Sequence, residues 1–269
     1  MIKSGDRKYD GLRFYDWIRR GLERKDKGEL DEALHCFWRA VDFNPLNSLA
    51  WFNLGVLYGE QGDIEKALEC NFKATQVNPS DATAWINLAS ILQMHNPGEC
   101  KDAVDCLLKA TQLSPLNNVA WSNLGCAYKK TGDLQKAINC LNKAKELNPL
   151  DSLVWSNLGI AYNKAGDNDN AIKCLTTARA LNPEDPLVWS NLGILYDKQG
   201  DVENAIDCLR KAAELGPSIA SVWFNLGTVY EKAGDKTSAS DCMRKAFSLD
   251  EYDDMRLVSD LVSREGQET

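Results

Sequence analysis

Apolar and polar residues alternate along this chain with helical spacing nested inside a longer period. Trp121, Leu124, Gly125 and Tyr128 are apolar or small at i, i+3, i+4 and i+7, the signature of one α-helix face. The same face returns around Trp51, Trp85, Trp155, Trp189 and Trp223, at intervals of 34, 36, 34, 34 and 34 residues counting Trp121 in order, with Trp17 another 34 before Trp51. Taking Phe14 as position 1, seven units run 14–47, 48–81, 82–117, 118–151, 152–185, 186–219 and 220–253. Positions 4, 7, 8 and 11 define helix A. Helix B follows with alanine at 20 and 27 (Ala137, Ala144) and usually a bulky apolar residue at 24, such as Leu141 or Leu175.

Each boundary has its own chemistry. A glycine and an acidic residue stand at positions 15 and 16, as in Gly132-Asp133; glycine ends one helix by accepting φ > 0, and the carboxylate suits the N-terminal end of the next. Proline at position 32 (Pro45, Pro79, Pro115, Pro149, Pro183, Pro217) stops helix B. The spacing therefore predicts an all-α chain growing along one axis with no need of a second core. A polar segment, 1–13, leads into it. After the last unit, Met255, Val258, Leu261 and Val262 predict a capping helix and tail over 254–269.

Three units depart from the pattern. The first carries Arg20 and Arg24 in place of the Leu and Tyr of the pattern, which suits a polar end cap. The third has two extra residues, predicting a longer turn around Met94, His95, Asn96 and Pro97. The seventh lacks the terminal proline.

The Trp, Leu, Gly, Tyr, Ala, Ala, Pro spacing over 34 residues resembles the tetratricopeptide repeat, and the resemblance covers residues 14–253. It implies an α-solenoid: antiparallel helix pairs stacked into a right-handed superhelix whose concave wall is built mainly by the A helices. The family's clamp for chaperone C-termini needs Lys at position 5 of an A helix. That position is never Lys here, so the resemblance implies no chaperone-tail capture.

The net charge of -8 and pI near 5.0 argue against a nucleic-acid or anionic-membrane surface. No apolar run reaches the length of a membrane span, and Met1 to Arg13 lack a signal-peptide core. Of nine cysteines, seven (Cys36, Cys70, Cys106, Cys140, Cys174, Cys208, Cys242) occupy position 23. Equivalent helices approach to roughly 8–10 Å, beyond the ~7 Å Cα limit of a disulfide, so the column reads as packing. A reducing, cytoplasmic setting follows. Neither His35 nor His95 stands in a triad pattern, and no ligand set of metal spacing or phosphate loop is present, so no enzyme activity, cofactor or metal is expected.

Helix A has a second face, positions 2, 6, 9 and 13, roughly opposite the first. Position 6 is Asn53, Asn87, Asn123, Asn157, Asn191 and Asn225; position 13 is Lys130, Lys164, Lys198 and Lys232 in the last four units. An amide bonds both N–H and C=O of an extended chain, whatever its sequence. A similar asparagine column lines the superhelix of O-linked N-acetylglucosamine transferases and holds peptide backbone there, which implies the same use here. Each Asn could instead cap or bridge helices. The lysines complement the helix dipole or attract acidic segments. Position 5 runs Ile18, Phe52, Ile86, then Ser122, Ser156, Ser190, then Phe224, predicting a groove that is greasier at its N-terminal end. The sequence thus points to a non-enzymatic scaffold or adaptor binding a protein or extended peptide, acidic in preference. Self-association through the ends, or service as the targeting subunit of a separate enzyme, are the alternatives.

Overall fold

The computed structural model describes residues 13–95 and 101–249. Among them there is no strand, and fourteen helices follow one another in pairs. The A helices are α1 (Phe14–Asp26), α3 (Ser48–Glu60), α5 (Ala82–His95), α7 (Asn118–Thr131), α9 (Ser152–Lys164), α11 (Pro186–Lys198) and α13 (Ala220–Lys232). The B helices are α2 (Leu30–Phe43), α4 (Ile64–Val77), α6 (Lys101–Leu113), α8 (Leu134–Leu147), α10 (Asn168–Leu181), α12 (Val202–Leu215) and α14 (236–249). The all-α reading holds. Residues 1–12 and the proposed capping helix and tail lie outside the described residues.

Short polar side chains start most helices, as expected of N-caps. Asp63, Asp167 and Asp201 accept from the backbone N–H three residues on, at 3.2, 3.1 and 3.2 Å. The A helices have a matching device that the pattern did not single out: Asn47, Asp151 and Asp185 accept from the N–H two residues on, at 3.0, 3.0 and 2.8 Å. Between them the chain reverses at Gly132 with φ 84°, left-handed backbone that L side chains rarely adopt.

The tryptophan and proline of the repeat are one device. Trp121 Nε1 donates to the Pro115 carbonyl at 2.9 Å, and the bond recurs at Trp51, Trp85, Trp155, Trp189 and Trp223 over 2.8–3.0 Å. Indole N–H is a donor that needs a partner when half-buried. It closes the linker onto the first turn of α3, α5, α7, α9, α11 and α13.

Helix A buries positions 3 and 10 beside the expected position 7: Val188, Leu192 and Leu195 are almost wholly buried. The glycine at position 8 sets the closest approach: a Cβ on Gly125 would stand 2.6 Å from Leu141 Cγ and 3.1 Å from the Ala137 carbonyl. Buried alanines at 20 and 27 permit that distance.

The chain divides into two compact units, Met1–Leu147 and Asn148–Thr269, each with its own apolar clusters. A stack in which each repeat touches only its neighbours has no central core to bind all of it together. The turn expected around Met94 is corrected, because α5 continues through Met94 and His95. The rest of that turn lies outside the described residues.

Candidate interaction site

The six asparagines stand at equivalent places on α3, α5, α7, α9, α11 and α13. Asn53 is buried and the other five are half-buried. They do not behave alike. Asn53 Nδ2 donates to the Leu49 carbonyl at 2.7 Å, a bond within its own helix, and Asn157 is also engaged. Among the described residues, the side chains of Asn87, Asn123, Asn191 and Asn225 make no hydrogen bond, yet none is sealed from water. Two solvent-reaching amides therefore stand in the first unit and two in the second, with both donors and the acceptor of each uncommitted.

The lysine column is tied more closely than its sequence position implied. Lys130 Nζ meets Gln93 Oε1 at 3.0 Å, Lys198 Nζ meets Asn163 Oδ1 at 2.8 Å, and Lys232 Nζ meets Asp197 Oδ2 at 2.6 Å. Each bond joins position 13 of one A helix to position 12 of the A helix before it. Lys25 and Glu60 make the same link with polarity reversed, at 2.7 Å. Lys164 is exposed and makes no such bond among the described residues. These ties are surface contacts worth at most about 1 kcal/mol each. An ammonium has three donors, so each tied lysine keeps others for a ligand.

Position 5 does not line this face. Ile18, Ile86, Ser122, Ser156 and Ser190 are buried, and of the seven only Phe224 is largely exposed. The greasy-to-polar gradient expected of a groove is therefore withdrawn, because these side chains pack between helices.

The cysteines of position 23 are all free and buried. Burial pushes the thiol of Cys70 up to about 12 and those of Cys106 and Cys140 up to about 11, so thiolate chemistry is suppressed at neutral pH. Among the described residues no group of three or more His, Cys, Asp or Glu is placed to hold a metal ion, and no helix is long and apolar enough to cross a membrane. His35 packs edge-on against Trp17, with centroids 6.2 Å apart.

Comparison with solved structures gives the fold. The APC/C hetero-tetramer Cut9-Hcn1 superposes with a TM-score of 0.72 at 21% identity, covering 91% of this chain and 48% of that one. This chain thus spans about half the length of that relative. A tetratricopeptide repeat protein from Parabacteroides merdae ATCC 43184 matches with a TM-score of 0.72 at 20% identity, covering 88% of this chain and 93% of that one. YrrB, described as having an unusual peptide-binding site, matches with a TM-score of 0.52 at 23% identity, covering 68% and 93%. No curated protein matches the chain. Tetratricopeptide repeat models match residues 48–81 and 21–62. The model of the cilia and flagella-associated protein 70 C-terminal domain matches 123–260, just over half of the chain. The fold is a scaffold for protein–protein interaction and implies protein partners. This chain belongs to the tetratricopeptide repeat proteins, in the family of the cilia and flagella-associated protein 70 C-terminal domain.

Proposed function

We propose that the A-helix face carrying the asparagine column binds an extended segment of a partner protein by its backbone, and that the chain acts as an adaptor with no chemistry of its own. The observation that supports this is the contrast within the column. Asn87, Asn123, Asn191 and Asn225 keep their amides uncommitted, whereas a side chain serving only the fold would be spent as Asn53 is on Leu49. A half-buried amide loses less on meeting a peptide than a fully hydrated one, because part of its desolvation has already occurred. The segment crosses α5 and α7 in the first unit or α11 and α13 in the second. The spare donors of Lys130, Lys198 and Lys232, with exposed Lys164, favour acidic side chains on it. The name of the matching family supports a cilium or flagellum as the setting.

The test is capture of partners by the full chain and by a variant with Asn87, Asn123, Asn191 and Asn225 changed to Ala. The partner recovered with the wild type is expected to be lost from the variant while its helical content and melting temperature stay unchanged, since none of the four side chains makes a hydrogen bond among the described residues. Equal recovery by both proteins would remove the asparagine column from the account.

A further inference from the structure

Positions 4, 7 and 11 of helix A meet helix B of the repeat before along a groove on the side opposite the asparagine column. In several of these grooves the chain itself sets a cation against an aromatic ring. Between repeats one and two, Trp38 Nε1 donates to Tyr58 Oη at 3.0 Å, and Lys66 Nζ stands 5.2 Å from the centre of the Tyr58 ring. In repeat four Lys136 stands 5.3 Å over Tyr128, and between repeats five and six Arg179 stands 5.0 Å over Trp189. Between repeats six and seven, Tyr230 shares a cavity of about 320 Å³ with Arg210.

The groove between repeats two and three loses both partners at once. Position 11 is Leu92, where repeats two and four have Tyr58 and Tyr128. Position 19, allowing for the two extra residues of the third unit, is Asp102, where those repeats have Lys66 and Lys136. A cavity of about 400 Å³ opens there between α4, α5 and α6, within the range of roughly 300–1,000 Å³ typical of ligand sites. Leu68 and Phe72 of α4 and Trp85, Leu88 and Leu92 of α5 wall it with apolar surface, and Phe72 is 54% exposed. The charged members of the lining are both acids, Glu69 and Asp102, and both are exposed. Lys73, Lys101 and Lys109 lie on the same helices but outside the lining. Among the described residues no cation pairs with either carboxylate, and none stands over Trp85. The open apolar wall gives a ligand surface to cover, and the two unpaired carboxylates at its rim set the sign of charge that ligand carries.

We propose that this cavity takes an aromatic side chain from a basic segment of a partner protein, its ring between Phe72, Trp85 and Leu92 and its flanking lysine or arginine paired with Glu69 and Asp102. The segment supplies from outside what the chain supplies to itself in the other grooves, a ring at position 11 and a cation at position 19. An acidic segment, a nucleic acid or a second copy of this chain, whose net charge is -8, would bring its own negative charge to these carboxylates. The site lies across α5 from Asn87 and does not depend on the asparagine column.

The probe is the peptide acetyl-Lys-Phe-Lys-amide, titrated into the full chain and followed through the methyl resonances of Leu68, Leu88 and Leu92. Acetyl-Glu-Phe-Glu-amide tests the charge and acetyl-Lys-Ser-Lys-amide the ring. Each control is expected to bind about tenfold more weakly than the probe, the first through repulsion from two carboxylates and the second through the lost burial of the ring. Leu92→Tyr with Asp102→Lys installs the pair that repeats two and four carry, so it folds, and it should no longer bind the probe. Glu69→Gln with Asp102→Asn changes only exposed side chains and should bind the Lys-Phe-Lys and Glu-Phe-Glu peptides equally. Equal affinities for the three peptides in the wild type, shifts that spare the three leucines, or probe binding retained by Leu92→Tyr with Asp102→Lys would overturn the site. The four-alanine variant at Asn87, Asn123, Asn191 and Asn225 should bind the probe as the wild type does; a loss there would put the peptide on the asparagine face and overturn the site as well. Sedimentation equilibrium tests the other occupant: self-association of the wild type that Leu92→Tyr with Asp102→Lys abolishes would give the cavity to a second copy and overturn the partner.

Discussion

Repeat two and repeats four to six are built on the same backbone, but where helix B meets the glycine of helix A, one carries Asn71 and the others Leu141, Leu175 and Leu209. The leucines are fully buried and complete the apolar contact. Asn71 is equally buried and leaves an oxygen unpaired beside a cavity. A repeat protein supplies its own control, because each position is sampled several times in nearly the same surroundings. A departure that costs stability at one copy only therefore marks a place where something other than stability shaped the residue.

The contrast can be broken most sharply by moving it. Leu175→Asn gives repeat five the arrangement of repeat two, and should destabilise the second unit by about 3–4 kcal/mol, the lost leucine burial plus an unpaired amide. Urea unfolding followed by far-ultraviolet circular dichroism measures this; a loss below about 1 kcal/mol would mean that the site tolerates a polar residue and that Asn71 is ordinary. The reverse change, Asn71→Leu, should stabilise the first unit by about 1–2 kcal/mol in the same assay. Destabilisation would show that the surroundings of Asn71 have adapted to it.

The smallest effect tests that the two regions agree elsewhere. A hydrogen bond from the Lys66 side chain holds Asp63 below its usual 3.8, and one from Lys136 does the same for Asp133. A carboxylate whose folded value is depressed contributes stability that is fully present above 3.8 and is lost as pH falls through the lower folded value. Melting temperature should therefore fall slightly on acidification below 3.8, and Asp63→Asn and Asp133→Asn should each flatten that fall by similar amounts. Unequal responses would show that repeats two and four differ in more than position 24.

The fold was legible in the sequence because its causes are local. Helix period, the Gly-acidic turn and the position-32 proline each act within a few residues. The Trp121 bond to Pro115 was harder to read, since both residues already had sufficient reasons to be present, one as core and the other as a helix stop. Position 5 misled because angular distance on an isolated helix ignores the neighbours: Ser122, Ser156 and Ser190 look like a polar stripe and are buried between helices. The lysine column was placed correctly along α7, α9, α11 and α13, but its ties to Gln93, Asn163 and Asp197 depend on how successive A helices align, which no single repeat encodes. Asn71 was visible as an exception at position 24. Its meaning was not, because only coordinates show that its oxygen is unpaired and lies next to a cavity.

Backbone recognition by the asparagines is tested most directly with the captured segment itself, prepared once as a normal peptide and once with alternate backbone nitrogens methylated. Calorimetric titration compares both peptides against the wild type and against the four-alanine variant. N-methylation should weaken binding to the wild type by about tenfold or more, since several hydrogen bonds of about 1 kcal/mol are lost together. It should leave the already weakened affinity of the variant unchanged. The same loss in both proteins would contradict the account, because the asparagines would then not be the groups that meet the peptide backbone.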